Sequence, residues 1–408
     1  MKTIFLTLIT AVLLLTLFSC SQENNPVDDS KILQDNGKST GEITSGNVVR
    51  KIVVLKRGAS QASVVNMVGK RGGHVNQQYS LINAISVFLP ENASEKAIEA
   101  LTKHADVERI DDDIIISAKP PKDPPTPPPP PTETLPWGVD RIDAEQVSGG
   151  GGTGTVIIKV GIVDTGIDRN HPDLAANLVG GINIISPTKT YEDDNGHGTH
   201  VAGTVAAVDN EIGVIGVAPH VAIYAVKVLD RRGNGYLSDI ISGLQWCVNN
   251  GIQVINMSLS ATVDVQSFHD AVTATYNAGI VMVCAAGNSG SVVEYPAKYS
   301  ETIAVSATDI NDAFAYFSNY GPEIAVAAPG VNVYSTYKGD TYKYLNGTSM
   351  ASPHVAGVAA LVLARYNSLT PAQVKAHIQA TAENIGLSTN QQGAGLVDAL
   401  NAWNTTPQ

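Results

Sequence analysis

Val156-Ile157-Ile158-Lys159-Val160-Gly161-Ile162-Val163-Asp164-Thr165-Gly166 is the stretch on which the fold turns. Its first eight residues are apolar or glycine except for Lys159 and show no alternation of polar and apolar positions. That is the pattern of a strand covered on both faces, as in a parallel sheet. The run stops at Asp164-Thr165-Gly166, which puts a carboxylate at the carboxyl end of the strand. Open α/β sheets collect their functional groups at such ends. Working outward, Gly198 to Ala207 and Ser349 to about Tyr366 read as helices of small residues able to pack closely on a sheet, and Ile280 to Ala286 reads as another buried strand. The expected architecture is α/β, with a central, mostly parallel sheet between helices.

Three further strings carry chemistry: Asn195-Gly196-His197-Gly198-Thr199-His200, Ala285-Ala286-Gly287-Asn288 and Gly347-Thr348-Ser349-Met350-Ala351. With Asp164 they supply a carboxylate, an imidazole, an amide and a hydroxyl. A serine hydroxyl is a weak nucleophile at neutral pH and needs a base within hydrogen-bond reach, itself held in one tautomer by a third group. Ser349, His197 and Asp164 are the candidates for those three roles. Ser349 starts its helix, where unpaired N–H groups and the positive dipole end favour a developing oxyanion. Each string alone also has a bland reading, Asp164 capping a turn and His197 a structural residue at a helix start. His171, His200 and His354 read as packing residues, and the remaining histidines show no metal-ligand spacing.

The order Asp, His, Ser with these flanking residues resembles the subtilisin-like serine proteases, over about Leu135 to Asn404. The resemblance implies a three-layer fold and an endopeptidase in which Ser349 is the nucleophile, His197 the base, Asp164 its orienting partner and Asn288 the second oxyanion donor, with Thr348 as a further helper. It implies that substrate lies as an added strand between Gly233-Asn234-Gly235 and Ser258-Leu259-Ser260, with Leu237 and Leu259 bordering an apolar pocket for P4, the fourth residue before the scissile bond. Ser260 and Ala261 stand where the family has glycines, which narrows the P1 pocket. Glu294 falls at that pocket's floor, which implies a preference for Lys or Arg at P1; a solvent-facing loop glutamate is the alternative reading. A structural Ca2+ is implied as well, held by Asp173, the Asn210 amide, the carbonyls of Val208, Ile212 and Val214, and Glu133 at a position where glutamine is common. Oxygen ligands of this kind suit a hard cation. The competing readings are a silent peptide-binding protein on the same fold, disfavoured by the intact site, and a hydrolase of small esters, which has no need of extended cleft edges.

Met1-Lys2 and the apolar Thr3 to Phe18 are too short for a comfortable membrane span and read as a secretory signal. Residues 1–20 end in Leu17-Phe18-Ser19-Cys20, which resembles a bacterial lipoprotein signal with Cys20 lipidated. Phe18 is larger than the residue usual there, and ordinary signal cleavage is the alternative. Export follows in either case, with the chain anchored in the cell envelope or secreted. Residues 21–48 read as a polar tether. Residues 49–118 give a βαββαβ pattern, with Ser94 capping the second helix and Val107 to Ile116 as the last strand, and resemble the family's inhibitory propeptide. The chain is thus its own expected inhibitor, made as a self-processing zymogen. Asp111 to Asp113 reads as a solvated strand end.

Residues 119–134 form a proline-rich, semi-rigid linker and 135–405 the catalytic region. Aligning the propeptide's end puts Ile116 at P4 and Lys119 at P1, which leaves Pro120 in the unfavourable P1′ place; cleavage after Lys122 or elsewhere in the linker is the alternative. With 26 basic against 38 acidic residues the net charge is −12, which argues against nucleic acid and anionic membrane as partners, and 43% hydrophobic content argues against a disordered chain. Protein or peptide substrates fit better. Cys247 and Cys284 read as buried thiols whose spacing does not decide whether they are bonded. The glycine run 149–154 precedes a strand and lacks a following Gly-Lys-Ser/Thr, so it is no nucleotide loop.

Overall fold

Strands that are apolar throughout must be covered on both faces, and here helices cover them. The computed structural model describes residues 48–118, 121, 132–147 and 157–408. The signal with Cys20, the tether to Asn47, Lys119, Pro120, Lys122 and the glycine run 149–154 lie outside the described residues.

The N-terminal part runs β1 (Val48–Leu55), α1 (Gln61–Lys70), β2 (His74–Tyr79), β3 (Ala84–Pro90), α2 (Ser94–Thr102), β4 (Val107–Asp112) and β5 (Ile115–Ser117). There follow α3 (Trp137–Arg141), β6 (Lys159–Asp164), β7 (Leu178–Asn183), α4 (His197–Ala206), β8 (Ala222–Lys227), β9 (Asn234–Tyr236), α5 (Leu237–Asn249), β10 (Val254–Met257), α6 (Gln266–Asn277), β11 (Val281–Ala285), β12 (Ile303–Thr308) and β13 (Ile324–Pro329). The chain closes with the hairpin β14 (Val333–Tyr337) and β15 (Thr341–Leu345), then α7 (Thr348–Arg365), α8 (Pro371–Thr381), α9 (Thr389–Gln392) and α10 (Ala399–Asn404).

Seven strands form one sheet in the order β13-β12-β11-β10-β6-β8-β7, with every neighbouring pair parallel. Leaving β6, the chain builds one side of the sheet with β7 and β8, then crosses to build the other from β10 onward. The order therefore reverses between β6 and β10, and crevices open outside the carboxyl ends of strands at such a point. Helices α4 and α7 share one apolar cluster with Val160 and Ile162, while α5 and α6 share another with Val163. The result is the three-layer α/β fold, and α4 is buried along its whole length.

In the N-terminal part, β2-β3-β1-β4 make an antiparallel sheet. One face carries α1 and α2 on Val53, Leu55, Ile85 and Val87. The opposite face, with Ile52, Val54, Tyr79 and Ala84, belongs to the same cluster as Leu237, Ile241 and Leu244 of α5.

Three local expectations change. The last strand is not continuous to Ile116: it breaks after Asp112, and β5 leaves the sheet to pair antiparallel with β9. Ser94 does not cap α2, whose N-cap is Ala93; its hydroxyl donates to the Glu91 carbonyl instead. Nor are Asp111 and Asp113 a solvated strand end. Asp111 accepts the Ser267 N–H in the first turn of α6 (2.9 Å), and Asp113, 8% exposed, accepts the Ser238 N–H in the first turn of α5 (2.8 Å).

Candidate active site

Asp164 is the last residue of β6 and fully buried; His197 is the first residue of α4, with Nδ1 2.7 and 2.9 Å from the two carboxylate oxygens. Asp164 also accepts the Thr165 N–H at 2.7 Å. Ser349 stands at the start of α7, which packs on α4. Its hydroxyl lies 3.4 Å from the Ser258 carbonyl, while its own carbonyl accepts the Ser258 hydroxyl at 2.7 Å. Pro353 explains why that carbonyl is available: a proline four residues on has no N–H to offer it. Asn288 follows β11, and its side-chain oxygen accepts from the Thr348 N–H (2.8 Å) and hydroxyl (3.0 Å), which leaves its NH2 to donate elsewhere. Thr348 thus holds the amide in place, and its hydroxyl also accepts the Gly287 N–H.

An extended segment runs into this site. Ser117 exchanges both backbone bonds with Ser260 (3.2 and 3.0 Å), and the Ala118 N–H donates to the Gly233 carbonyl at 2.9 Å. Ile116 pairs with Gly235. Ile116 is fully buried in a cluster that includes Leu237 and Leu259. Gly233, at φ 75°, has to be a glycine, since a side chain there would stand 2.8 Å from the Ala118 carbonyl. Glu294 is half-buried, and its carboxylate accepts the Ser260 hydroxyl at 2.6 Å and the Ser289 hydroxyl at 3.3 Å.

Comparison with known proteins bears on this geometry. The subtilase family model matches residues 157–395. The chain is 51% identical over 271 residues to subtilisin DY of Bacillus licheniformis, covering 65% of this chain and 97% of that protein. The chain belongs to the subtilase family. Over 345 residues it is 41% identical to subtilisin E of Bacillus subtilis, covering 83% of this chain and 85% of that one. A thermostable alkaline protease of Halalkalibacterium halodurans is 51% identical over 271 residues, 66% of this chain and 73% of its own length. This subtilase is a serine endopeptidase, a hydrolase of peptide bonds.

The expected cation residues of this subtilase converge on one loop. Asp173 accepts the Asn210 NH2 (2.8 Å) and the Val214 N–H (2.8 Å); Glu133 accepts the Asn210 N–H (2.7 Å); and the Glu133 N–H reaches the Glu211 carbonyl. Burial pushes the Asp173 and Glu133 carboxyls above their ordinary pKa, and at Glu133 the charges of Asp209 and Asp173 add to the rise. Two neighbouring carboxyls with raised proton affinity are what favours a hard cation at this loop; the Asn210 side-chain oxygen accepts the Ile212 N–H at 2.7 Å. Among the described residues no group of three or more His, Cys, Asp or Glu side chains could hold a metal, so any such site depends on those carbonyls.

His200 and His354 are fully buried, their pKa values pushed down to about 3 and about 4 by desolvation, and both meet backbone carbonyls. Cys247 and Cys284 are buried and free. Sequence reasoning missed Asp193, which takes five hydrogen bonds beside His197, and it missed the capping by Asp111 and Asp113. In each case the partners are set by folding.

Proposed function

We propose that this subtilase is made as an exported zymogen and cuts peptide bonds through Ser349, His197 and Asp164. Ser349 attacks the scissile carbonyl as His197 takes its proton; the imidazolium donates from Nδ1 to Asp164 and then protonates the leaving amine. The Ser349 N–H and the Asn288 NH2 receive the oxyanion, and water completes the cycle on the acyl-enzyme. The observation that carries this reading is the extended segment 115–118, which pairs with both cleft edges as a substrate strand would.

On this reading residues 49–118 are the inhibitory propeptide and Cys20 the lipid anchor. Glu133, Asp173, Asn210 and the carbonyls of Val208, Ile212 and Val214 would hold Ca2+. Bound there, the ion supplies positive charge that ties the stretch after the linker to the 208–214 loop.

Expressing wild type and Ser349→Ala side by side tests the proposal. Mass spectrometry should find the propeptide lost only from the wild type, and only the wild type should digest casein. A Ser349→Ala chain that still does either refutes the triad. Losses of about 10⁶-fold for the nucleophile and about 10²–10³-fold for one oxyanion donor are values taken from a subtilisin itself, so they are no independent forecast.

Glu294, half-buried and hydrogen-bonded to the Ser260 hydroxyl of one cleft edge, supports Lys or Arg at P1, because a carboxylate in a partly desolvated pocket attracts a cation. Comparing Lys, Arg, Phe and Leu at P1 in wild type and Glu294→Gln checks this; equal rates for basic and apolar residues would end the idea.

A further inference from the structure

The carboxylate of Asp164 and the imidazole of His197 sit on separate elements, 33 positions apart in sequence. Their separation has to be set by something other than their own bond. Asp193, 4% exposed, stands between the two elements. Its Oδ1 accepts from the Thr165 hydroxyl (2.9 Å), the Asn195 N–H (2.9 Å) and the Gly196 N–H (2.8 Å). Its Oδ2 accepts from the Thr199 N–H (3.0 Å) and the Thr199 hydroxyl (2.6 Å).

Thr165 directly follows Asp164, and Gly196 directly precedes His197. The Thr165 hydroxyl also accepts the Gly198 N–H at 2.9 Å, so one donor–acceptor chain runs from the residue after the carboxylate to both neighbours of the imidazole. The N-cap of α4, Gly196 at φ 111°, offers no side chain; Asn195 Oδ1 accepts the His197 N–H (3.0 Å), and the Thr199 N–H two residues on is left to another acceptor. A carboxylate upstream fills that place and at the same time reaches across to β6. An ordinary helix cap would bond only within its own helix. Burial raises the Asp193 pKa, and the Thr199, Gly196 and Asn195 donors oppose the rise.

We propose that Asp193 is a positioning residue for the His197–Asp164 pair, locking the strand end that carries the carboxylate to the helix start that carries the imidazole. The inference rests on the reading of Ser349, His197 and Asp164 as a triad. Displacement of a reacting group by about 1 Å costs on the order of 10²-fold in rate, so slack at this lock falls on kcat. Binding in the cleft depends on the 233–235 and 258–260 edges and should be spared.

The test compares full-length wild type, Asp193→Asn, Thr165→Val and the double variant on one peptide substrate, with active sites counted by burst titration. Asp193→Asn is expected to lower kcat by about 10²-fold with KM within about twofold. The double variant should be little worse than the poorer single one, since both cut the same connection. The far-downfield proton resonance of the His–Asp hydrogen bond should shift or vanish in each variant. Thr165→Ser, which keeps the hydroxyl, should recover most of what Thr165→Val loses.

A lowered melting temperature with kcat and that resonance unchanged would reduce Asp193 to a structural cap and overturn the proposal. If Asp193→Asn does not fold, the Thr165→Val and Thr165→Ser pair decides on the same readouts. Activity retained in Ser349→Ala would instead sink the triad itself, a distinguishable failure.

Discussion

The seven-stranded sheet closes both of its faces with its own helices, whereas the four-stranded sheet closes only one. The first has α4 and α7 on one side and α5 and α6 on the other. The second has α1 and α2 on one side, while its other side, through Ile52, Val54, Tyr79 and Ala84, is buried by α5 of the larger sheet. One sheet is complete by itself, and the other borrows half of its core. Polar groups follow the same division. Asp113, Arg50 and Ser238 form a buried three-way contact across the junction, with the Arg50 guanidinium 3.5 Å from the centre of the Tyr236 ring. Arg109 pairs with Asp270 and Asp111 in the same junction.

Substitutions can pull the two sheets' behaviour apart. The largest effect is expected at Ile162→Ala in β6, fully buried in the self-contained core. Deleting that side chain should cost about 2–5 kcal/mol of global stability in thermal or denaturant unfolding, with docking of residues 48–118 unchanged. Asp113→Ala should do the reverse. Arg50 and the Ser238 N–H lose their partner, and docking weakens by about 2–5 kcal/mol, read as a higher inhibition constant for residues 48–118 added in trans to the mature enzyme. An unchanged constant would mean that the acidic contacts do not hold the junction.

Docking should also depend on pH. Burial raises the Asp239 carboxyl from 3.8 to about 6, with Arg50 opposing and Asp113 adding to the rise. A carboxyl harder to ionise when docked favours the docked form at low pH, and the advantage is lost as pH climbs from about 4 to about 6. Inhibition should weaken by about tenfold or more over that window, and Asp239→Asn should flatten the dependence. The smallest effect is expected at Tyr79→Phe, which removes hydroxyl bonds to the Ser238 carbonyl and Ser86 and should loosen docking by about 1 kcal/mol.

The parts of this molecule legible in the sequence are those whose cause is local. The β6 run, the Asp164 turn and the small-residue helices beginning at His197 and Thr348 follow from period and composition. What stayed hidden depends on distant partners. Asp113 meets Ser238 across 125 positions, and Asp111 meets Ser267 across 156; nothing near the acidic run reveals two helix starts waiting for acceptors. Ser94 misleads for the opposite reason. A serine before a helical pattern looks like a cap, yet a short turn at Glu91–Ala93 precedes it and takes its hydroxyl. The bond by which the Thr348 hydroxyl holds the Asn288 oxygen is likewise between residues 60 positions apart.

The seat of residues 115–118 has one more consequence. Ser117 and Ala118 are held by main-chain N–H and C=O groups that every polypeptide carries, so the docked tail and an incoming chain compete for the same bonds. On the proposed zymogen reading, a tail still joined through the linker competes at an effective concentration of about millimolar order. Once severed, it faces the outside world at its bulk dilution. On that reading, switching on the enzyme amounts to the loss of a local excess.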